Sequence, residues 1–310
     1  MYKNISYNKI TPYISTPRLD TYINFFQEHS IEEVYGVYIW NKVLCSAIYP
    51  LLQAAEVALR NAINTAAVNA FGDYWYDQIG NHKFPPALIK ENFNHTNLKQ
   101  NFEKARTNVN TKINNQRKIQ GKNKLPANHR PAFDVVVAAT DFSTWEFILH
   151  PCHYQLNGPD FLWPKYTKKA FKNWPDQSSQ VTHTVLYDIV SELRIFRNRL
   201  SHHEPLWKGI SVTTEAEAIE YVNKKIAKIE QLIGIISKDK LSLLDSQKLI
   251  KKAKYIASKD MLDICRHRAK GKDISINRKN KLKRFLAEIR THKKPELISI
   301  SGCKYIIEAL

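Results

Sequence analysis

The sequence predicts an all-α fold, and three observations carry that prediction. Long segments repeat apolar residues three or four apart, the spacing of one helix face. Two-residue alternation, the mark of a half-buried strand, is nearly absent. Only 9 glycines occur in 310 residues, few for a chain built on many tight turns. With 43% hydrophobic residues the chain can bury a substantial core. The expected organisation is a helical bundle over residues 1–236 followed by a basic helical extension over 237–310.

Each element has its own reason. Arg18 to Glu28 reads as a short helix after a polar start. Glu32 to Phe71 is a long apolar helical stretch in which Pro50 should kink or split the helix, with Gly72 as its stop. Residues 83–130, rich in Asn, Lys and Gln and bounded by Pro85-Pro86 and Pro126, read as a polar helical excursion with its tip at Gly121 to Lys124. Ala132 to Leu149 is expected as a buried helix carrying Trp145, and Leu162 to Pro175 as a short aromatic-rich one. Thr184 to His203 repeats apolar residues with helical spacing and must end near His203, because Pro205 cannot continue a helix and disfavours helical backbone at Glu204. Thr214 to Ile236 is amphipathic, and Glu215 and Glu217 in its first turn suit the helix dipole. Beyond Ser237 short basic helices follow, with breaks at Gly271 and Pro295.

Charge narrows the partners. The chain holds 47 Lys+Arg against 29 Asp+Glu, a formal net charge of +18. Residues 251–310 contain 17 of those bases and 6 of the acids, and so supply +11 of the +18. Such a surface favours polyanions, above all RNA or DNA, although a solvated lysine-rich face has the same composition. Arg266, Arg268, Lys281, Lys283 and Arg284 are the candidate RNA-binding residues there, but the sparse aromatics give little support for base stacking. Cys45, Cys152, Cys265 and Cys303 lie far apart, which fits a reducing compartment and no disulfide framework. His150, Cys152 and His153 lack a matching second pair, so no metal site is predicted. No phosphate-binding glycine loop is present, and no cofactor is called for. The N-terminus lacks a signal-like apolar region and no apolar run approaches membrane-spanning length, so the expectation is a soluble, cytoplasmic protein without a membrane partner.

The chemistry concentrates in IFRNRLSHHEP, residues 195–205. Arg197 and His202 lie about 140° apart around a helix and roughly 7.5 Å along it. An arginine is long enough to swing its guanidinium toward the helix end where His202 projects. Asn198 and His202, four apart, share a face. One such helix does not enclose a site, but the same helix from two protomers would place two Arg and two His around one cleft. That set suits metal-free cleavage of RNA. Histidines can take the ribose 2′-hydroxyl proton and protonate the leaving 5′-oxygen, while arginine grips the phosphate. The bland alternative is a helix end whose basic residues cap carbonyls, with Glu204 paired to Arg199 or Arg197.

R-N-x-x-x-H, Arg197 to His202, matches the signature of the HEPN superfamily, and FRNRLSHHEP resembles its Abi-like (abortive infection) branch. Tyr38 to Ile63, Asp141 to Pro151 and Leu162 to Phe171 resemble further blocks of that branch in the expected order, from about residue 18 to 210. The branch more often has glycine where Ser143 or Thr144 stands, and residues 237–310 are not covered. The resemblance implies a HEPN-like bundle and a metal-independent ribonuclease toxin of antiphage defence. It implies Arg197, Asn198 and His202 as catalytic residues, a homodimer, and RNA as partner, with a regulatory RNA or antitoxin as restraint. His203 and Glu204 match the branch's extra H-E and are expected to orient the site. Glu56 and Arg60 match its first helix, where they either line the cleft or form an intrahelical ion pair. Two other readings stand beside this one: a non-catalytic RNA-binding protein on the same fold, and a purely structural interaction module.

Overall fold

Capping residues, as much as apolar periodicity, decide where the helices begin and end. The computed structural model describes residues 6–28, 30–80, 93–174, 178–269, 272–273, 279–292, 296–300 and 303–307. In chain order the helices are α1 (Tyr7–Ile14), α2 (Thr16–Phe26), α3 (Ile31–Phe71), α4 (Phe93–Ile119), α5 (Phe133–Ala138), α6 (Phe142–Leu149), α7 (Thr167–Ala170), α8 (Ser179–Ser201), α9 (Glu215–Ile236), α10 (Lys238–Ser246), α11 (Leu249–Ile256), α12 (Lys259–Cys265) and α13 (Lys279–His292). Three short strands, β1 (Lys272–Asp273), β2 (Glu296–Ile300) and β3 (Cys303–Ile307), form one sheet. The fold is all-α in class.

The chain divides into two compact units. One comprises residues 1–44, 207–220 and 255–310; the other comprises 45–206 and 221–254. This path differs from a division at residue 236, because α3, α9 and α11 each run across a unit boundary.

In the second unit α3 contributes Ile48, Leu51, Leu52, Ala55, Leu59, Ile63 and Ala67 to the core, each at most 2% exposed and spaced as one helix face. Each fully buried Leu or Ile contributes about 1.5–3 kcal/mol. Pro50 lies inside α3 without dividing it into two helices. Gly72 stops it in the left-handed region, φ +81°, its amide donating to Val68 O at 2.7 Å. The expected polar excursion is corrected in part. Residues 83–92 lie outside the described residues, while α4 buries His95, Leu98, Phe102, Ala105 and Val109 and packs against α5 and α6. Tyr76 stacks on Phe102 with centroids 4.4 Å apart, and Trp75 meets the same ring edge-on. The tip at Gly121–Lys124 lies within a longer exposed stretch, residues 118–124.

The single helix expected over Ala132–Leu149 is two, α5 and α6. Asp141 caps α6, its carboxylate accepting from Thr144 N at 3.3 Å, and this cap interrupts the apolar run. The helix expected over Leu162–Pro175 shrinks to the four residues of α7, with Pro175 outside the described residues. α8 begins five residues earlier than periodicity suggests, because Ser178 caps it by accepting from Val181 N at 3.3 Å.

In the first unit Trp207 lies among Tyr22, Phe25 and Phe26, with centroids 5.7, 4.5 and 4.8 Å away. Trp40 Nε1 donates to Ile256 O at 2.8 Å. Gly36 admits the backbone of Cys265: a Cβ at Gly36 would stand 2.3 Å from Cys265 O. The start of α9 is a reciprocal cap. Thr214 Oγ1 accepts from Glu217 N at 3.2 Å, and Glu217 Oε2 accepts from Thr214 N at 3.0 Å. The tail is corrected from wholly helical. β2 pairs with β1 in parallel and with β3 in antiparallel register, and α13 supplies Phe285 and Ile289 to a small core with Ile298. The expected breaks at Gly271 and Pro295 lie outside the described residues. One further expectation changes: by length and composition α3 is long and apolar enough to cross a membrane.

Candidate active site

α8 ends on the residues that carry the motif, and its ending is built from backbone hydrogen bonds. His202 is the C-cap, with its amide donating to Asn198 O at 2.9 Å. His203 then takes φ +57°, its N–H donating to Leu200 O at 3.1 Å, while Glu204 N donates to Arg199 O at 2.9 Å. This pairing is a Schellman ending with histidine where glycine is usual. Side chains strain against left-handed backbone by about 1–2 kcal/mol. Pro205 then carries the chain out of the helix. As a result His202, His203 and Glu204 all stand exposed at the helix end.

One turn back, Arg197 faces α3. Its Nε lies 3.8 Å from Glu56 Oε2, with the two side chains 35% and 21% exposed. That separation is an electrostatic contact, too long for a hydrogen bond. Arg197 Nη1 donates toward Asn198 Oδ1 at 3.5 Å, a weak contact, and most of the guanidinium fork has no hydrogen-bond partner among the described residues. Burial is the main cause that raises the Glu56 carboxyl above its ordinary value; Arg197 and Arg60 oppose the shift and the charge of Asp141 adds to it.

Arg60 does not pair with Glu56 along the helix. It donates instead to Ala138 O at 3.4 Å and toward Asn61 Oδ1 at 3.5 Å. The intrahelical ion pair is therefore replaced by a contact between α3 and α8. No ion pair joins Glu204 to Arg197 or Arg199 among the described residues. The motif is thus not tied up by its own acid.

Periodicity missed two polar groups nearby in sequence blocks already singled out. Ser143 Oγ donates to Asp141 Oδ1 at 2.5 Å and Asn101 Nδ2 donates to Ser143 Oγ at 3.0 Å, so the cap of α6 is a hydrogen-bonded cluster. The signal for it was Asp141 three residues before Thr144. His95 and His153 pair through Nδ1 and Nε2 at 3.1 Å in a buried setting, with His153 Nδ1 also 2.9 Å from Phe147 O. Burial drives the His153 ring down to about 3 and the His95 ring to about 4, so both sit neutral near physiological pH. No sequence signal paired them, because they lie 58 residues apart.

The basic candidates of the tail separate into two kinds. Arg266, with only 1% of its side chain exposed, holds Glu28 Oε1 at 2.9 Å and Glu215 Oε2 at 2.6 Å, and also bonds Asp263. Arg268 bonds Glu33 at 2.6 Å and also Glu28. Both guanidiniums face carboxylates, an arrangement that competes with phosphate binding, most strongly for the buried Arg266. Lys281, Lys283 and Arg284 instead project from α13 into solvent, and Arg284 is 77% exposed with Glu288 only at 4.0 Å.

No curated protein and no solved structure matches the chain. A family model described as Abi-like protein matches residues 1–208, a span that contains Glu56, Arg60 and the whole of Arg197–Glu204. On that match, over two thirds of its length, the chain belongs to the Abi-like protein family.

Proposed function

We propose that this protein is a metal-independent endoribonuclease of the HEPN type, acting as a toxin in abortive infection against phage. The observation that carries the reading is the loosely held guanidinium of Arg197, a third exposed on the last turns of α8 and close in sequence to the exposed ring of His202. Arg197 grips the scissile phosphate and neutralises charge that grows on it. Asn198 contacts the ribose or orients His202. His202 moves a proton, a role suited to imidazole near neutral pH. The RNA supplies its own nucleophile, the 2′-hydroxyl. A homodimer about α8 and a restraining regulatory RNA or antitoxin complete the proposal.

A second reading, a non-catalytic RNA-binding protein, is favoured by one observation: Lys281, Lys283 and Arg284 are exposed together on α13. The two part on Arg197→Ala and His202→Ala. The ribonuclease reading expects each to abolish cleavage of labelled RNA while largely sparing its gel shift. A wild type that shifts RNA without cleaving it, and loses the shift when Lys281, Lys283 and Arg284 are replaced, supports the binding reading.

A further inference from the structure

We infer that Glu56 is the proton acceptor of the cleavage step, with His202 as the proton donor. The inference rests on the ribonuclease reading above and deepens it. The reaction needs two groups: one to remove the 2′-hydroxyl proton and one to protonate the departing oxygen. A single motif presents His202 for one of them. Its neighbour His203 stands in the left-handed turn, set by the helix ending.

Glu56 differs from Glu192 and Glu33 in what it lacks. Glu192 takes Lys225 at 2.6 Å and Lys228 as well, and Glu33 takes Arg268 at 2.6 Å and Ser30. Among the described residues Glu56 accepts no hydrogen bond; its nearest cation is Arg197 Nε at 3.8 Å. A carboxylate mostly withdrawn from water, with its lone pairs unused, is a better base than one saturated by donors. The groups facing it are Arg197 from α8, Arg60 from its own helix and Asp141 at the head of α6. Arg197 turns Nε to Glu56 and Nη1 toward Asn198, and the rest of its fork is open. A phosphate held on that open edge would stand beside the same guanidinium that Glu56 faces at 3.8 Å, with its attacking hydroxyl about 3–3.5 Å from phosphorus.

The step then balances. Glu56 carboxylate takes the O2′ proton, O2′ bonds to phosphorus, the P–O5′ bond breaks, and protonated His202 gives its proton to O5′. The products are a 2′,3′-cyclic phosphate and a 5′-hydroxyl, and solvent exchange restores both groups.

The test compares wild type, Glu56→Gln, Glu56→Asp and His202→Ala on a short RNA across pH, each variant first checked for an unchanged thermal unfolding midpoint. General acid–base groups contribute about 10²–10⁴-fold. Glu56→Gln is expected to lose at least about a hundredfold in kcat/KM and the acidic limb of the bell-shaped profile. Glu56→Asp should keep part of the rate and that limb, which a merely structural role would not do. Full rate with both limbs in Glu56→Gln overturns the inference while leaving the ribonuclease reading intact. A wild type that never cleaves overturns both.

Discussion

Arg197 and Arg266 are the same residue put to opposite uses. Arg266 is buried, with carboxylates of Glu28, Glu215 and Asp263 filling its fork. Arg197 is a third exposed, with one carboxylate at 3.8 Å and one weak amide contact. The carboxylates mirror this. Glu33, bonded by Arg268, is held down to about 2, whereas Glu56, short of donors and desolvated, is raised. A saturated ion network fixes backbone; an unsaturated one keeps electrostatic capacity for a ligand. The difference is what supports placing the proposed chemistry between α3 and α8, where the partners are loose.

The comparison can be broken first through stability. Removing one partner of a buried ion pair costs about 3–5 kcal/mol, because it strands the remaining charge. Arg266→Ala should therefore lower the urea midpoint steeply, while Arg197→Ala, whose contacts are long and partly solvated, should cost about 0–1 kcal/mol. Equal losses for the two would remove the distinction.

Acid sharpens it next. His95 and His183 are each pushed down to about 4 and His153 to about 3, mainly by burial, against an ordinary value of 6.5. The unfolded chain binds protons that the folded chain refuses, so stability is full above about pH 6.5 and falls as pH drops toward 3–4. His95→Gln should flatten that decline in urea titrations from pH 7 to pH 4; an unchanged slope would show that His95 does not carry it.

The smallest expected effect is at His203. Replacing it by glycine relieves the left-handed backbone at φ +57° and should raise stability by about 1 kcal/mol. A loss instead would mean that the imidazole contributes more than the turn costs.

Much of the helical framework was legible because its signals are local. Gly72 stops α3, Thr214 and Glu217 cap α9, and Pro205 ends the reach of α8. The motif was legible for the same reason, as six adjacent residues on one helix end. What escaped needed a partner distant in sequence. Arg266 and Arg268 count as positive charge in a composition, and only the fold reveals that Glu28 and Glu33, more than 230 residues away, have neutralised them. Sequence spacing left Glu56 and Arg60 open between an ion pair and a cleft lining; in the fold Arg60 donates to the carbonyl of Ala138 and Glu56 faces Arg197. The strands of the tail escaped because β1 is two residues long and β2 and β3 are five each, too short for alternation to show.

The most direct measurement is incubation of the purified protein with labelled cellular RNA in EDTA, beside His202→Ala, with analysis of the new ends. The account predicts cleavage by the wild type alone, leaving 2′,3′-cyclic phosphate and 5′-hydroxyl ends. Intact RNA in both tubes, even when prepared from phage-infected cells, or equal cleavage by His202→Ala, would contradict it.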